Sequence, residues 1–221
     1  MPEMFSEAYL ENTLRWHLYR RWRRRRNLYR VAERMFYHVA LRAPKGSTFL
    51  DLGANVGLVT GAALRLGLKV IAFEPDPHAL AILTRRFGTH PDVEIIPKAA
   101  GAVARTARFY RHRNADSGNT AGSSLIETTG HEDGTSTIVE VVDLVDFLKG
   151  RQAMPSIVKM DIEGSEAECL EAILGAGLHK SIGAFLVETH DRLSPTIANR
   201  LDRIRARIAE ENIQNINLEW I

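Results

Sequence analysis

Two periods alternate along most of the chain. Short apolar runs, "TFLDLG", "KVIAFEP", "VEIIP", "PSIVKMDIEG" and "IGAFLVETH", are separated by longer stretches whose apolar positions recur every three to four residues. Runs of the first kind, bounded by turn residues, read as strands buried on both faces, and the second period reads as helix. The pattern predicts helices over 56–66, closed by Gly67, over 77–87, closed by Gly88, over Ser165–Gly175 and over "SPTIANRLDRIRARIAEE". It adds a short helix at "VDFLKG" and a last strand in "IQNINLEWI". Strands separated by helices predict an α/β fold, a doubly wound, mostly parallel sheet with helices on both faces.

The alternation breaks twice. Over 101–142, "GAVARTARFYRH" and "STIVEVVDL" flank a stretch rich in Gly, Ser, Asn and Thr. That composition predicts two or three strands of antiparallel leaning around a mobile loop at 114–123. Before residue 45, a helix is predicted over 5–26, with Trp16, Tyr19 and Trp22 among arginines. The stripe Leu28, Val31, Ala32, Met35, Phe36, Val39 and Ala40 follows at helical spacing and is expected to pack on the main body. Pro44, Lys45 and Gly46 end it, so the chain divides into a basic, aromatic helical arm, 1–44, and an α/β domain, 45–221.

Charge sharpens that division. The net charge of +2 over 221 residues hides ten arginines against four glutamates in residues 1–42. The remainder holds 19 basic and 23 acidic residues, so a mildly acidic body carries a basic arm. The single cysteine, Cys169, excludes an internal disulfide framework and any multi-cysteine zinc site; its setting, "AECLEAIL", reads as the apolar side of a helix. No apolar run approaches the ~18 residues of a membrane span, and in "NLYRVAERMFYHVALR", which follows the arginine cluster, charges interrupt every apolar stretch, unlike a signal peptide. These features fit a cytoplasmic protein, peripheral at a membrane surface if the arm contacts anionic lipid.

The stretch "DLGANVGLVT", 51–60, runs from a strand through a glycine-spaced turn into a helix. In a doubly wound sheet, ligands sit beyond the carboxyl ends of the strands beside such a turn. The dinucleotide fingerprint places glycine where this chain has Asn55, and Asp51 would repel a pyrophosphate. A ligand with a cationic amine fits better: Asp51 faces the ammonium, directly or through water, and the helix start faces a carboxylate. The second strand ends at Glu74, where an acid can accept both hydroxyl hydrogens of a ribose. Together these point to S-adenosylmethionine.

"DLGANVG", "AFEPDP", "VDLVDFL", "VKMDIEGSE" and "VETH", in that order over about residues 46–192, resemble the FkbM family of S-adenosylmethionine-dependent methyltransferases. The resemblance implies a Rossmann-like class I methyltransferase fold and O-methylation of a hydroxyl on a sugar or glycan, a polyketide or a related small molecule. Carried over by position, it implies that Asp51, Gly53, Ala54, Asn55 and Gly57 line the methionine end and that Glu74 holds the ribose. Pro75 and Asp76 would shape the adenine edge, backbone around Ala99 would reach the adenine, and Asp161 would sit beside the transferred methyl. The arm lies outside the family's core. The loop "NADSGNTAGSSL" matches only loosely, leaving Ser123 and Ser124 as weak candidates. One strand after the last helix, where class I enzymes usually have an antiparallel pair, leaves a thin edge compatible with a homodimer.

A hydroxyl acceptor needs a base near the displacement. "DIEG" and "ETH" put Asp161, Glu163, Glu188 and His190 just past neighbouring strands, on the cofactor's rim. Asp161 or His190 would accept the proton and Glu163 would orient the substrate, against a plain turn for Glu163 and a surface histidine for His190. Ser165 and Glu168 fit a capping box. No metal-binding spacing appears, so no metal is expected. The arm has four readings: a solvated helix face, an anionic membrane surface, an acidic substrate, or nucleic acid. Nucleic-acid methylation is disfavoured by the lack of an Asn- or Asp-Pro-Pro-Tyr motif or a catalytic cysteine, and an RNA-binding module with a vestigial pocket by the retained DLGANVG, Glu74 and DIEG. A nicotinamide-dependent oxidoreductase is disfavoured by Asn55 and by the lack of a Tyr-x-x-x-Lys pair.

Overall fold

The computed structural model describes residues 28–111, 123–126 and 136–220. The helix expected over 5–26 and nearly all of the loop expected at 114–123 lie outside them. The elements are α1 (Leu28–Ala40), β1 (Thr48–Leu52), α2 (Leu58–Arg65), β2 (Lys69–Phe73), α3 (Pro77–Phe87), β3 (Val93–Ile96), β4 (Ala99–Gly101), β5 (Arg105–Tyr110) and β6 (Ser136–Asp143). They continue with α4 (Leu144–Lys149), β7 (Ile157–Met160), α5 (Glu166–Gly175), β8 (Ala184–Glu188), α6 (Pro195–Glu210) and β9 (Ile216–Trp220). Six strands form one sheet in the order β3-β2-β1-β7-β8-β9, every pair parallel. From β1 the chain winds outward to β2 and β3, then returns to β7 on the other side. The order reverses between β1 and β7, the switch point at which doubly wound sheets hold their ligands in a crevice at the strands' carboxyl ends.

Side chains alternate between the two faces of each strand. Leu50, Leu52, Ile71, Phe73, Val158, Met160, Phe185 and Val187 pack under α4, α5 and α6. Phe49, Val70, Ala72, Ile157 and Leu186 face α1, α2 and α3. Met35, Phe36, Val39 and Ala40 of the predicted stripe join that second face, and the Phe36 ring meets Phe49 and Trp220 edge-on at 5.8 and 6.3 Å. Burying a side chain the size of Phe49 stabilises the fold by about 1.5–3 kcal/mol, so these contacts tie α1 to the sheet at β1 and β9.

The break in alternation is a second sheet, β4-β6-β5. β5 pairs antiparallel with β6, as expected, while β4 pairs parallel with it. β4, three small buried residues, lies where the sequence suggests only a connecting stretch; its shortness leaves no period to read. The last helix is followed by one strand, β9, which adds parallel to β8.

Candidate active site

The β1–α2 turn is held by backbone geometry. Gly53 and Gly57 have φ of 78° and 80°, and Asn55 between them has 51°. Gly53 and Ala54 both donate to the Phe73 carbonyl at the end of β2, at 3.1 and 2.9 Å. A Cβ on Gly53 would lie 1.9 Å from the Asp161 carbonyl oxygen, so only glycine lets the turn meet the end of β7. α2 begins at Gly57 with no side-chain cap, which leaves its first N–H groups for an anion.

Two buried acids flank the turn. Asp51 is fully buried; its Oδ2 accepts from Thr60 Oγ1 at 2.7 Å, and its Oδ1 faces Lys159 Nζ at 3.4 Å. Its side chain therefore lies behind the turn rather than on its surface. Glu74 accepts from the Asn55 and Asp76 backbone N–H groups at 2.6 and 2.7 Å. Burial pushes its pKa up to about 7 against those two hydrogen bonds. Pro75 leads into Asp76, which caps α3 by accepting from His78 and Ala79 N–H and also receives Arg111 Nε and Ser123 Oγ. Ala99 opens β4 and packs on Phe109, Val139 and Val141; the chain just before it touches Glu74, whose N–H donates to Ile96 O at 3.1 Å.

Across the crevice, the DIEG turn leaves β7. Asp161 keeps 30% of its side chain exposed, and its Oδ2 lies 3.5 Å from Lys159 Nζ. Glu163 sits at φ 52°, its carbonyl accepting from Ser124 Oγ at 2.5 Å. The turn is closed by Glu166, fully buried, which accepts from Ile162 and Gly164 N–H, both at 2.9 Å. This replaces the expected capping box. Ser165 makes no side-chain cap, and Glu168 pairs with Arg105 at 3.1 Å.

His190 is no surface residue. Its ring is wholly buried, with Nδ1 2.9 Å from Glu166 Oε1, and Nε2 3.0 Å from Glu163 Oε2 and 3.8 Å from Glu188 Oε1. Burial alone would lower its pKa, but the hydrogen bonds and charges of Glu163 and Glu166 outweigh that and push it up to about 11. The ring is thus an imidazolium clamped between carboxylates. One ligand atom each from Asp161, Glu166 and His190 lie within 4.8 Å of one another, a donor set that could accept a divalent ion only by displacing the ring proton.

The structure thus brings together Asp51, Gly53, Ala54, Asn55, Gly57 and Glu74 on one side of the crevice and Asp161, Glu163 and His190 on the other. Pro75, Asp76 and Ala99 lie further along the first side. Sequence reasoning missed Lys159 and Glu166. A lysine in the buried strand "IVKM" is a signal in itself, since lysine is almost never fully buried unless paired. Glu166 was masked by the neighbouring capping-box pattern.

A methyltransferase FkbM domain model matches residues 51–213. The chain belongs to the FkbM methyltransferase family. The matched residues are those of a methyltransferase domain. It is 27% identical over 160 residues to the hexuronic acid methyltransferase AglP of Haloferax volcanii, covering 72% of this chain and 62% of that protein's length. It is also similar to a TehB-like SAM-dependent methyltransferase from Corynebacterium glutamicum, at 15% identity and TM-score 0.37 over 86% of this chain and 83% of that one. The precorrin-6y C5,15-methyltransferase of Geobacter metallireducens is similar at 12% identity and TM-score 0.41, over 77% of this chain and 69% of that one. Among the described residues, no helix of this family member is long and apolar enough to cross a membrane.

Proposed function

We propose that this protein transfers a methyl group from S-adenosylmethionine to a hydroxyl of a sugar, a glycan or a related small molecule. The observation that carries the reading is the pair of acids at the ends of β1 and β2 on either side of an uncapped glycine turn. The residues fit the cofactor. The free N–H groups at the start of α2 suit its amino-acid carboxylate, the negative charge of Asp51 and Asp161 suits its cationic end, and Glu74 suits its ribose hydroxyls. When bound, S-adenosylmethionine supplies an electrophilic methyl on a sulfonium. The hexuronic acid named for the Haloferax relative supports a glycan acceptor.

The acceptor hydroxyl must lose its proton as it attacks, and two groups compete for that role. His190 is protonated, and both of its nitrogens face carboxylates, so the ring has no lone pair to give. Asp161 is a carboxylate open to solvent at the crevice. It receives the proton, while the His190 imidazolium fixes Glu163, which is left to orient the acceptor.

Calorimetry with S-adenosylmethionine, S-adenosylhomocysteine and NAD tests the cofactor, and no binding of the first two refutes the reading. A panel of uronic acids and neutral sugars, assayed for methyl transfer, tests the acceptor. Asp161→Asn is expected to keep S-adenosylhomocysteine affinity and lose at least about a hundredfold in turnover; a wild-type rate removes Asp161 from the role.

A further inference from the structure

Lys159 places a buried ammonium behind the glycine turn. It lies on β7 directly opposite Asp51 of β1 in the parallel register, on the same face of the sheet. Its side chain is 4% exposed and runs toward the carboxyl edge. There Nζ donates to the Gly53 carbonyl at 2.7 Å and approaches the Leu52 carbonyl at 3.3 Å. Asp51 Oδ1 and Asp161 Oδ2 flank it at 3.4 and 3.5 Å. One cation thus touches the acid that ends β1, the carbonyls that shape the glycine turn, and the acid at the mouth of the crevice. Burial would lower its pKa, yet the charges of Asp161 and Asp51 more than compensate and hold it above its ordinary value.

We infer that Lys159 is a positioning residue for methyl transfer: a fixed positive charge behind the glycine turn that serves as counter-ion to Asp51 and Asp161 and sets how strongly the site prefers a sulfonium over a thioether. The inference rests on the proposed cofactor reading. Asp51, buried and turned to Lys159 and Thr60, already has its cation from within the chain. The charge felt by a ligand on the turn is therefore that of the Asp51–Lys159–Asp161 group, one net negative charge rather than two. With the ammonium gone, the two carboxylates act unopposed on whatever cation binds. Their pull on positively charged S-adenosylmethionine then rises, while the neutral sulfur of S-adenosylhomocysteine feels little change. Asp161 also loses the partner that holds its carboxylate in place, so turnover falls while the cofactor is bound more tightly.

The test is the ratio of the two affinities, measured by calorimetry on the full chain for wild type, Lys159→Gln and Lys159→Met. Gln keeps a donor for the Gly53 carbonyl without the charge; Met keeps the length without either. In both, S-adenosylmethionine is expected to gain on S-adenosylhomocysteine by about tenfold or more, the effect of one unit charge about 10 Å away at an effective dielectric of about 20. Turnover is expected to fall at least about tenfold, as for a misplaced base. Affinities that move together by the same factor would mean that Lys159 only supports the fold, and would overturn the inference. If neither Lys159 variant folds, Asp161→Asn carries the test with the opposite sign: S-adenosylmethionine should lose ground to S-adenosylhomocysteine, and an unchanged ratio overturns the inference equally. A wild-type chain that binds neither ligand fails the cofactor reading instead, a result these variants do not share.

Discussion

The proton on His190 gives stability a measurable dependence on pH. In the folded chain the ring stays protonated up to about pH 11, because Glu163 and Glu166, at 3.0 and 2.9 Å, outweigh the burial that would lower its pKa. In the unfolded chain it titrates near 6.5. Between those values the folded state holds one proton more than the unfolded state. The stabilisation is therefore complete below pH 6.5 and is lost as the pH rises toward 11, at about 1.4 kcal/mol per pH unit. From pH 7.5 to 9.5 this one site should remove about 2.7 kcal/mol, a large share of the roughly 5–15 kcal/mol that holds a domain together.

His190→Gln removes the titrating group and strands Glu166 and Glu163 without their cation, at a cost of about 3–5 kcal/mol near neutral pH. The assay is urea denaturation of both proteins at pH 7.5, 8.5 and 9.5. The gap between them should be widest at pH 7.5 and narrow by about 2.7 kcal/mol at pH 9.5. Glu74, which titrates at about 7, is common to both and cancels in the difference. A gap that stays constant across that range would show that His190 is not protonated in the folded chain, and would return it to contention as the base.

Three further outcomes follow from the site. Because burial raises Glu74 to a pKa of about 7, its ionised form gains on the neutral one between pH 6 and 8; S-adenosylhomocysteine affinity should rise over that span in wild type. Glu74→Gln should bind about tenfold more weakly with no such rise, and a parallel pH profile would remove Glu74 from the ribose. Gly53→Ala would set a Cβ 1.9 Å from the Asp161 carbonyl at φ 78°; it should lose cofactor binding and melt lower, the strain alone costing about 1–3 kcal/mol, and wild-type binding would show that the turn can move. Turnover should survive EDTA; loss that Mg²⁺ or Mn²⁺ restores would place an ion among Asp161, Glu166 and His190.

What the sequence revealed and what it concealed have physical causes. A strand buried on both faces must be apolar throughout, so β1, β2, β7 and β8 stand out as runs. The glycine turn and Glu74 were legible because local spacing determines them. The partners of His190 were not. Glu166 reaches it from 24 residues away, and only the fold shows that the ring is wholly buried. β4 was hidden because three small residues carry no period. Lys159 was overlooked because its partners, Asp51 and Gly53, lie more than a hundred positions earlier.

The two buried cations at the crevice share one design. Lys159 sits between Asp51 and Asp161, and His190 sits between Glu163 and Glu166. Each is bracketed by two acids, so neither is an isolated buried charge, which would cost several kcal/mol. With Glu188 beside the ring, five carboxylates face two cations, and the crevice keeps a negative surplus. On the proposed reading, a surplus of that sign favours the positively charged cofactor over its neutral product, so the electrostatics that would draw the methyl donor in would also weaken the hold on what remains after transfer. On that reading His190 and Lys159 would divide the work: the imidazolium would set the turn on which Glu163 stands, and the ammonium would limit how much of the negative surplus reaches the glycine turn. An acid with neither constraint would bind the donor more tightly and be worse placed to take a proton from the acceptor.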